Sequence, residues 1–175
     1  MKEDVQKKSI IAAIANGLER VLEWVSIIFI VLLTINMIMA VFFRYILSDS
    51  IFWADELSLV LFAWLTFLGG SLAVKRSEMA AVTLFLSRLP DRTYRIFSSL
   101  IQILIIIFSV VLGYYSYLWI KSPSVVNMMS STLPVSMWVI YLIVPISMVC
   151  IIVFAMDNIR KIFTTQLNEE GGFPL

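Results

Sequence analysis

Arg44, Asp55 and Glu56 are the charged residues whose types and spacing could do chemistry in this chain. Arg44 closes one long apolar run, and the two acids open the next after a short polar gap at residues 45–54. If the two runs form a hairpin, a guanidinium and two carboxylates meet at similar depth. Such a group can clamp two helices, meet a charged partner or line a pore. Mutual pairing lowers the desolvation cost of all three charges. Two acids in a first helical turn also suit the positive end of the helix dipole. Trp53, beside them, reads as an interfacial anchor.

Other chemistry has little to work with. The chain has no histidine and one cysteine, so a disulfide oxidoreductase, which needs paired thiols, is excluded. No nucleophile elbow and no metal-ligand spacing is present, and the sequence implies neither an enzyme nor a cofactor. Cys150 lies inside an apolar run and reads as packing. A proton-coupled carrier usually places an acid near mid-membrane. The apolar runs contain none, and Asn36 and Gln102 are their most polar members. So dry an interior is poorly equipped to carry a hydrophilic solute alone.

The elements that must position these residues follow from composition. Of the 175 residues 61% are hydrophobic, against about 45–50% in soluble domains, and the mean hydropathy is +0.96. Uncharged runs occupy 24–43, 57–74, 96–120 and 133–156. At about 1.5 Å per residue these runs have the length to cross a ~30 Å hydrocarbon core, and their continuity favours helices over barrel strands. The expectation is an all-α integral membrane protein, one domain over 1–175, with four transmembrane helices at about 22–43, 54–74, 94–120 and 134–158. Eleven of the 13 Lys and Arg residues flank one side, which puts both termini and the central loop in the cytoplasm. The first 20 residues are too polar for a cleavable signal. Nucleic-acid binding has no support.

Finer features are legible. Ile10, Ile14, Leu18 and Val21 share a helical face, which suggests an amphipathic helix lying on the membrane surface before the first span. Residues 77–89, with Met79, Val82, Leu86 and Leu89 on one face, suggest a second in-plane helix, ended by Pro90; phospholipid is the natural partner of both. Pro134 suits a first helical turn, with Ser131 and Thr132 as capping candidates. Pro145 removes the amide that would bond Tyr141 and predicts a kink. The tail beyond Lys161, ending NEEGGFPL, is expected to fray. On the second span, Ala63, Thr66, Gly70 and Ala73 form a stripe of small residues, with Gly69 beside it. Such a stripe permits close helix approach, either inside this chain or by a second protein.

The hairpin resembles a known family. Arg44-Tyr45, Trp53-Ala54-Asp55-Glu56-Leu57, the block Trp64 to Gly70, and Lys75-Arg76 are similar to the small membrane subunit, the Q-type component, of tripartite ATP-independent periplasmic (TRAP) transporters. Arg88-Leu89-Pro90 and Leu133-Pro134 through Trp138, Tyr141 and Pro145 extend the resemblance over most of residues 40–146. Met79, Ala81 and Thr83 depart from it, standing where the family often has histidine and a charged pair. The resemblance implies a sodium-coupled importer of an organic acid, of the C4-dicarboxylate or sialic-acid class. A periplasmic binding protein would deliver the acid to a large membrane subunit working as an elevator, whose scaffold this subunit packs on and enlarges. Arg44, Trp53, Asp55, Glu56, Ala63, Trp64, Gly69, Gly70, Ala73, Arg76 and Trp138 are then the candidate interface or structural residues. The rival reading is a self-contained four-helix carrier or channel, a homo-oligomer with Arg44, Asp55 and Glu56 lining its pore.

Overall fold

Ala15, Leu22, Phe29, Asn36 and Phe43 recur every seventh residue along the first helix, α1 (Lys2–Tyr45), and each is buried or half-buried. A strict seven-residue spacing keeps one seam turned toward neighbouring helices over many turns. Off this seam Ile27, Ile28, Ile35, Ile38 and Val41 are exposed, as a lipid-facing or partner-facing surface would be. The computed structural model describes residues 2–76 and 91–169. The proposed in-plane helix at 77–89 lies outside them.

Beyond α1 come α2 (Ala54–Arg76), α3 (Asp91–Ile120), a short α4 (Pro123–Val126), α5 (Met137–Tyr141) and α6 (Ile143–Glu169). Four segments have the length and apolarity to cross a membrane: Ala12–Tyr45, Ala54–Arg76, Ile96–Ile120 and Met137–Ile162. Among the described residues the only extended pairing is an isolated bridge between Met129 and Ser136. The four-span, all-helical expectation therefore stands.

Three details differ from that expectation. α1 runs unbroken from Lys2, so no turn separates an N-terminal segment from the first span. Ile14 and Val21, expected on its membrane-seeking face, are exposed, as such a face would be, and Ala15 and Leu22 beside them are buried. The fourth span starts at Met137, after Ser136 in extended conformation, and Pro134 lies in the preceding loop instead of a first helical turn. At the other end α6 stays helical through Glu169, so Asn168 and Glu169 are ordered into the helix.

α3 packs on α6, α6 on α2, and α2 on α1, with a smaller contact between α1 and α6. The long helices thus form a row, α1–α2–α6–α3, with α6 as its hub. Phe154 and Ala155 of α6 are fully buried and share a core with Leu68 and Val74 of α2 and Ala15 and Leu22 of α1. Gly113 lets α3 come close: a Cβ there would sit 3.2 Å from the Met148 Cβ of α6. The helical path breaks at Leu142, between α5 and α6, three residues before Pro145 and within the turn whose bonding that proline removes. Trp64 of α2 donates its indole N–H to the Ile140 carbonyl, 3.1 Å away, at this break. Exposed Tyr114, Tyr115, Tyr117 and Trp119 gather at the end of α3, the pattern of an aromatic belt at a membrane interface.

Candidate functional site

Polar groups concentrate at the two ends of the long helices. At one end the short turn between α1 and α2, in which Ser48 takes a left-handed conformation (φ 53°), brings Arg44 opposite the start of α2. Arg44 Nη2 lies 2.8 Å from Asp55 Oδ2, with the two side chains 51% and 69% exposed. About two turns earlier on α1, the Asn36 side-chain amide donates to the Ala54 carbonyl and to Ser58 Oγ, each at 2.8 Å. Asn36 is buried, so these bonds offset the cost of an amide inside an apolar run.

Glu56 does not join Arg44. Its carboxylate accepts hydrogen bonds from the Ser130 and Thr132 hydroxyls and, at 2.9 Å, from the Thr132 backbone N–H. The loop between α4 and α5 is therefore fastened to the first turn of α2. Ser130 also receives the Leu133 N–H at 3.1 Å. Thr132, a capping candidate by sequence, is a partner of Glu56, and the helix that starts at Met137 has no side-chain cap from Ser136. Adjacent acids thus hold different neighbours: Asp55 holds α1, and Glu56 the distant loop. Trp53 is half-buried and its carbonyl accepts the Leu57 N–H at 3.0 Å.

The opposite end holds a buried polar cluster. Lys75 Nζ of α2 lies 2.8 Å from Asp157 Oδ2 of α6 and 2.9 Å from Asn16 Oδ1 of α1. Glu19 Oε2 stands 3.9 Å from the same ammonium, and Lys161 Nζ 3.3 Å from Asp157 Oδ2. Asn158 donates to the Val74 carbonyl at 2.6 Å. Arg76, more exposed, pairs with Glu19 and Glu23 of α1. One ammonium therefore ties three helices. Asp157, Asn158 and Lys75 as a cluster went unread in the sequence, although each stands at the edge of an apolar run.

The small residues of α2 point elsewhere. Gly69 and Gly70 are exposed, and a Cβ added at either would meet nothing within 4 Å. Thr66 is exposed and donates to its own helix at Phe62. Ala63 and Ala73 are half-buried beside them. Among the described residues, these glycines serve no packing within this chain. Trp138, 39% exposed, lies on α5 at the far side of the break.

Among the described residues no group of three or more His, Cys, Asp or Glu side chains converges as a metal site. The charged groups of both clusters are held by partners on neighbouring elements, an arrangement that fastens helices. The rim of the Arg44 end adjoins an open apolar groove between α1 and α2.

Comparison with known proteins agrees with this picture. Residues 33–165 match the family described as tripartite ATP-independent periplasmic transporters, DctQ component. A Haemophilus influenzae protein named as a TRAP transporter small permease is 32% identical over 78 residues, covering 45% of this chain and 48% of that protein. A sialic acid TRAP transporter small permease of Vibrio cholerae is 35% identical over 49 residues, 28% of each chain. These matches span less than half the length of either relative.

Proposed function

Because this chain belongs to the DctQ-component family of tripartite ATP-independent periplasmic transporters, we propose that it serves as the small membrane subunit of a sodium-coupled importer. It is a multi-pass protein of the bacterial inner membrane. In this reading it packs on a large membrane subunit, which holds the substrate and sodium sites, and enlarges that subunit's static scaffold. An elevator-type transport domain then moves against a fixed wall. A periplasmic binding protein delivers the substrate, an organic acid of the C4-dicarboxylate or sialic-acid class.

The observation that carries this reading is the row-like packing of the long helices around α6. A row has two broad faces to offer a partner and no central path of its own. The buried charges at Lys75 and Asp157 support it, because they are committed to each other and to neighbouring helices. A rigid wall needs such ties, whereas a carrier needs charges free to meet solute. The excess of Lys and Arg beside the Lys75 end supports a cytoplasmic placement of both termini and of residues 76–95. Arg44, Asp55 and the Glu56 clasp then face the periplasm.

Co-expression tests the assignment. A tagged copy of this chain should retain the large membrane subunit of the same transporter, co-expressed with it, through detergent purification. Recovery of this chain as a homo-oligomer that excludes that subunit would overturn the scaffold reading.

A further inference from the structure

The groove between α1 and α2 has a volume of about 450 Å³ and apolar walls that include Leu33, Met37, Val41, Leu59 and Phe62. Its mouth is charged: Arg44 and Asp55 both line it, and both are at least half exposed. At about 1.5 Å per residue the α1 wall from Leu33 to Arg44 is about 16 Å long, half of a ~30 Å hydrocarbon core. The groove therefore runs from one membrane interface to mid-bilayer and stops. A transmembrane helix of a partner would need a trough of twice that length. A lipid of a single leaflet needs this one.

We infer that the α1–α2 groove is a binding site for one phospholipid whose headgroup carries both a phosphate and a primary amine. One acyl chain lies along Met37, Val41 and Phe62, and the headgroup sits at the mouth. Arg44 presents a fork of N–H donors suited to phosphate oxygens, and Asp55 accepts from the ammonium. A cation and an anion set side by side at an interface complement a zwitterion, whereas a purely anionic headgroup meets repulsion from Asp55. The site requires only that the chain spans a membrane and does not depend on the transport assignment.

Native mass spectrometry of the full chain tests it, with phosphatidylethanolamine, phosphatidylcholine and phosphatidylglycerol of identical acyl chains added in turn. Phosphatidylethanolamine should be retained as a single adduct about tenfold more tightly than phosphatidylglycerol, the order expected of one charge-assisted hydrogen bond. Asp55→Asn should erase that preference, and Arg44→Gln should weaken retention of all three lipids. Ala40→Phe fills the groove without altering either charge, so it should release the lipid. Equal retention of the three headgroups, or an unchanged preference in Asp55→Asn, would overturn the inference. So would loss of the adduct when the large subunit is added, since the groove would then belong to a partner helix.

Discussion

Lys75 on α2 and Asp157 on α6 form an ion pair whose side chains are 3% and 1% exposed, with Nζ 2.8 Å from Oδ2. Removing one partner leaves the other buried charge with its weaker partners alone, Lys161 for Asp157 or Asn16 and Glu19 for Lys75, at a cost of up to roughly 3–5 kcal/mol. Lys75→Met and Asp157→Asn should each lower the thermal stability of the purified chain in detergent by about that amount. The double variant Lys75→Met/Asp157→Asn should lose less than the two effects added, because neither charge is then left alone. Strict additivity would show that the two groups are independently solvated.

The pair at the other end is of a different kind. Arg44 and Asp55 are exposed, and an exposed pair is worth about 0–1 kcal/mol. Arg44→Gln should therefore leave thermal stability almost unchanged. A double-mutant cycle should find coupling between Arg44 and Asp55 and none between Arg44 and Glu56, whose partners are Ser130 and Thr132.

Glu56→Gln should loosen the loop between α4 and α5. Hydrogen–deuterium exchange at residues 130–133 should quicken markedly, with exchange in the α2 core near Leu68 unaltered. Equal acceleration in both places would mean that Glu56 supports the whole fold and not the loop.

Two glycines on different helices give opposite expectations. Gly113→Leu drives a side chain into Met148 and should destabilise the chain by about 1–3 kcal/mol, the usual cost of overpacking. Gly70→Leu meets open space, so the chain should keep its stability in detergent but fail to co-purify with the large subunit. Loss of stability in Gly70→Leu would return that face to internal packing, and normal co-purification would leave it facing lipid.

Topology is testable by labelling. In a Cys150→Ser background, a membrane-impermeant thiol reagent should label a cysteine placed at Ser124 in intact cells, but not one placed at Ser87. The reverse pattern would invert the orientation derived from Lys and Arg placement.

The spans were legible because an uncharged run of membrane length has few alternatives once backbone bonds must be satisfied in lipid. The hairpin at Arg44 and Asp55 was legible because a short turn leaves little freedom. Lys75 and Asp157 were not: each closes a run, 82 residues apart, and a terminal lysine looks the same whether it anchors at the surface or pairs inside. Asn158, next to Asp157 at the end of an apolar run, was the available hint. Glu56 misled for a related reason. Of its partners, Thr132 stands with Ser131 just before Pro134 and reads as a cap residue, and only the folded loop shows the Ser130 and Thr132 hydroxyls turned toward α2.

In the proposed scaffold role this chain carries no solute itself. The direct measurement is uptake of radiolabelled organic acid into liposomes under an inward sodium gradient, with the binding protein supplied outside. Liposomes holding both membrane subunits should accumulate the acid, and those holding this chain alone should show no uptake above protein-free controls. Sodium-driven uptake by this chain alone would contradict the account.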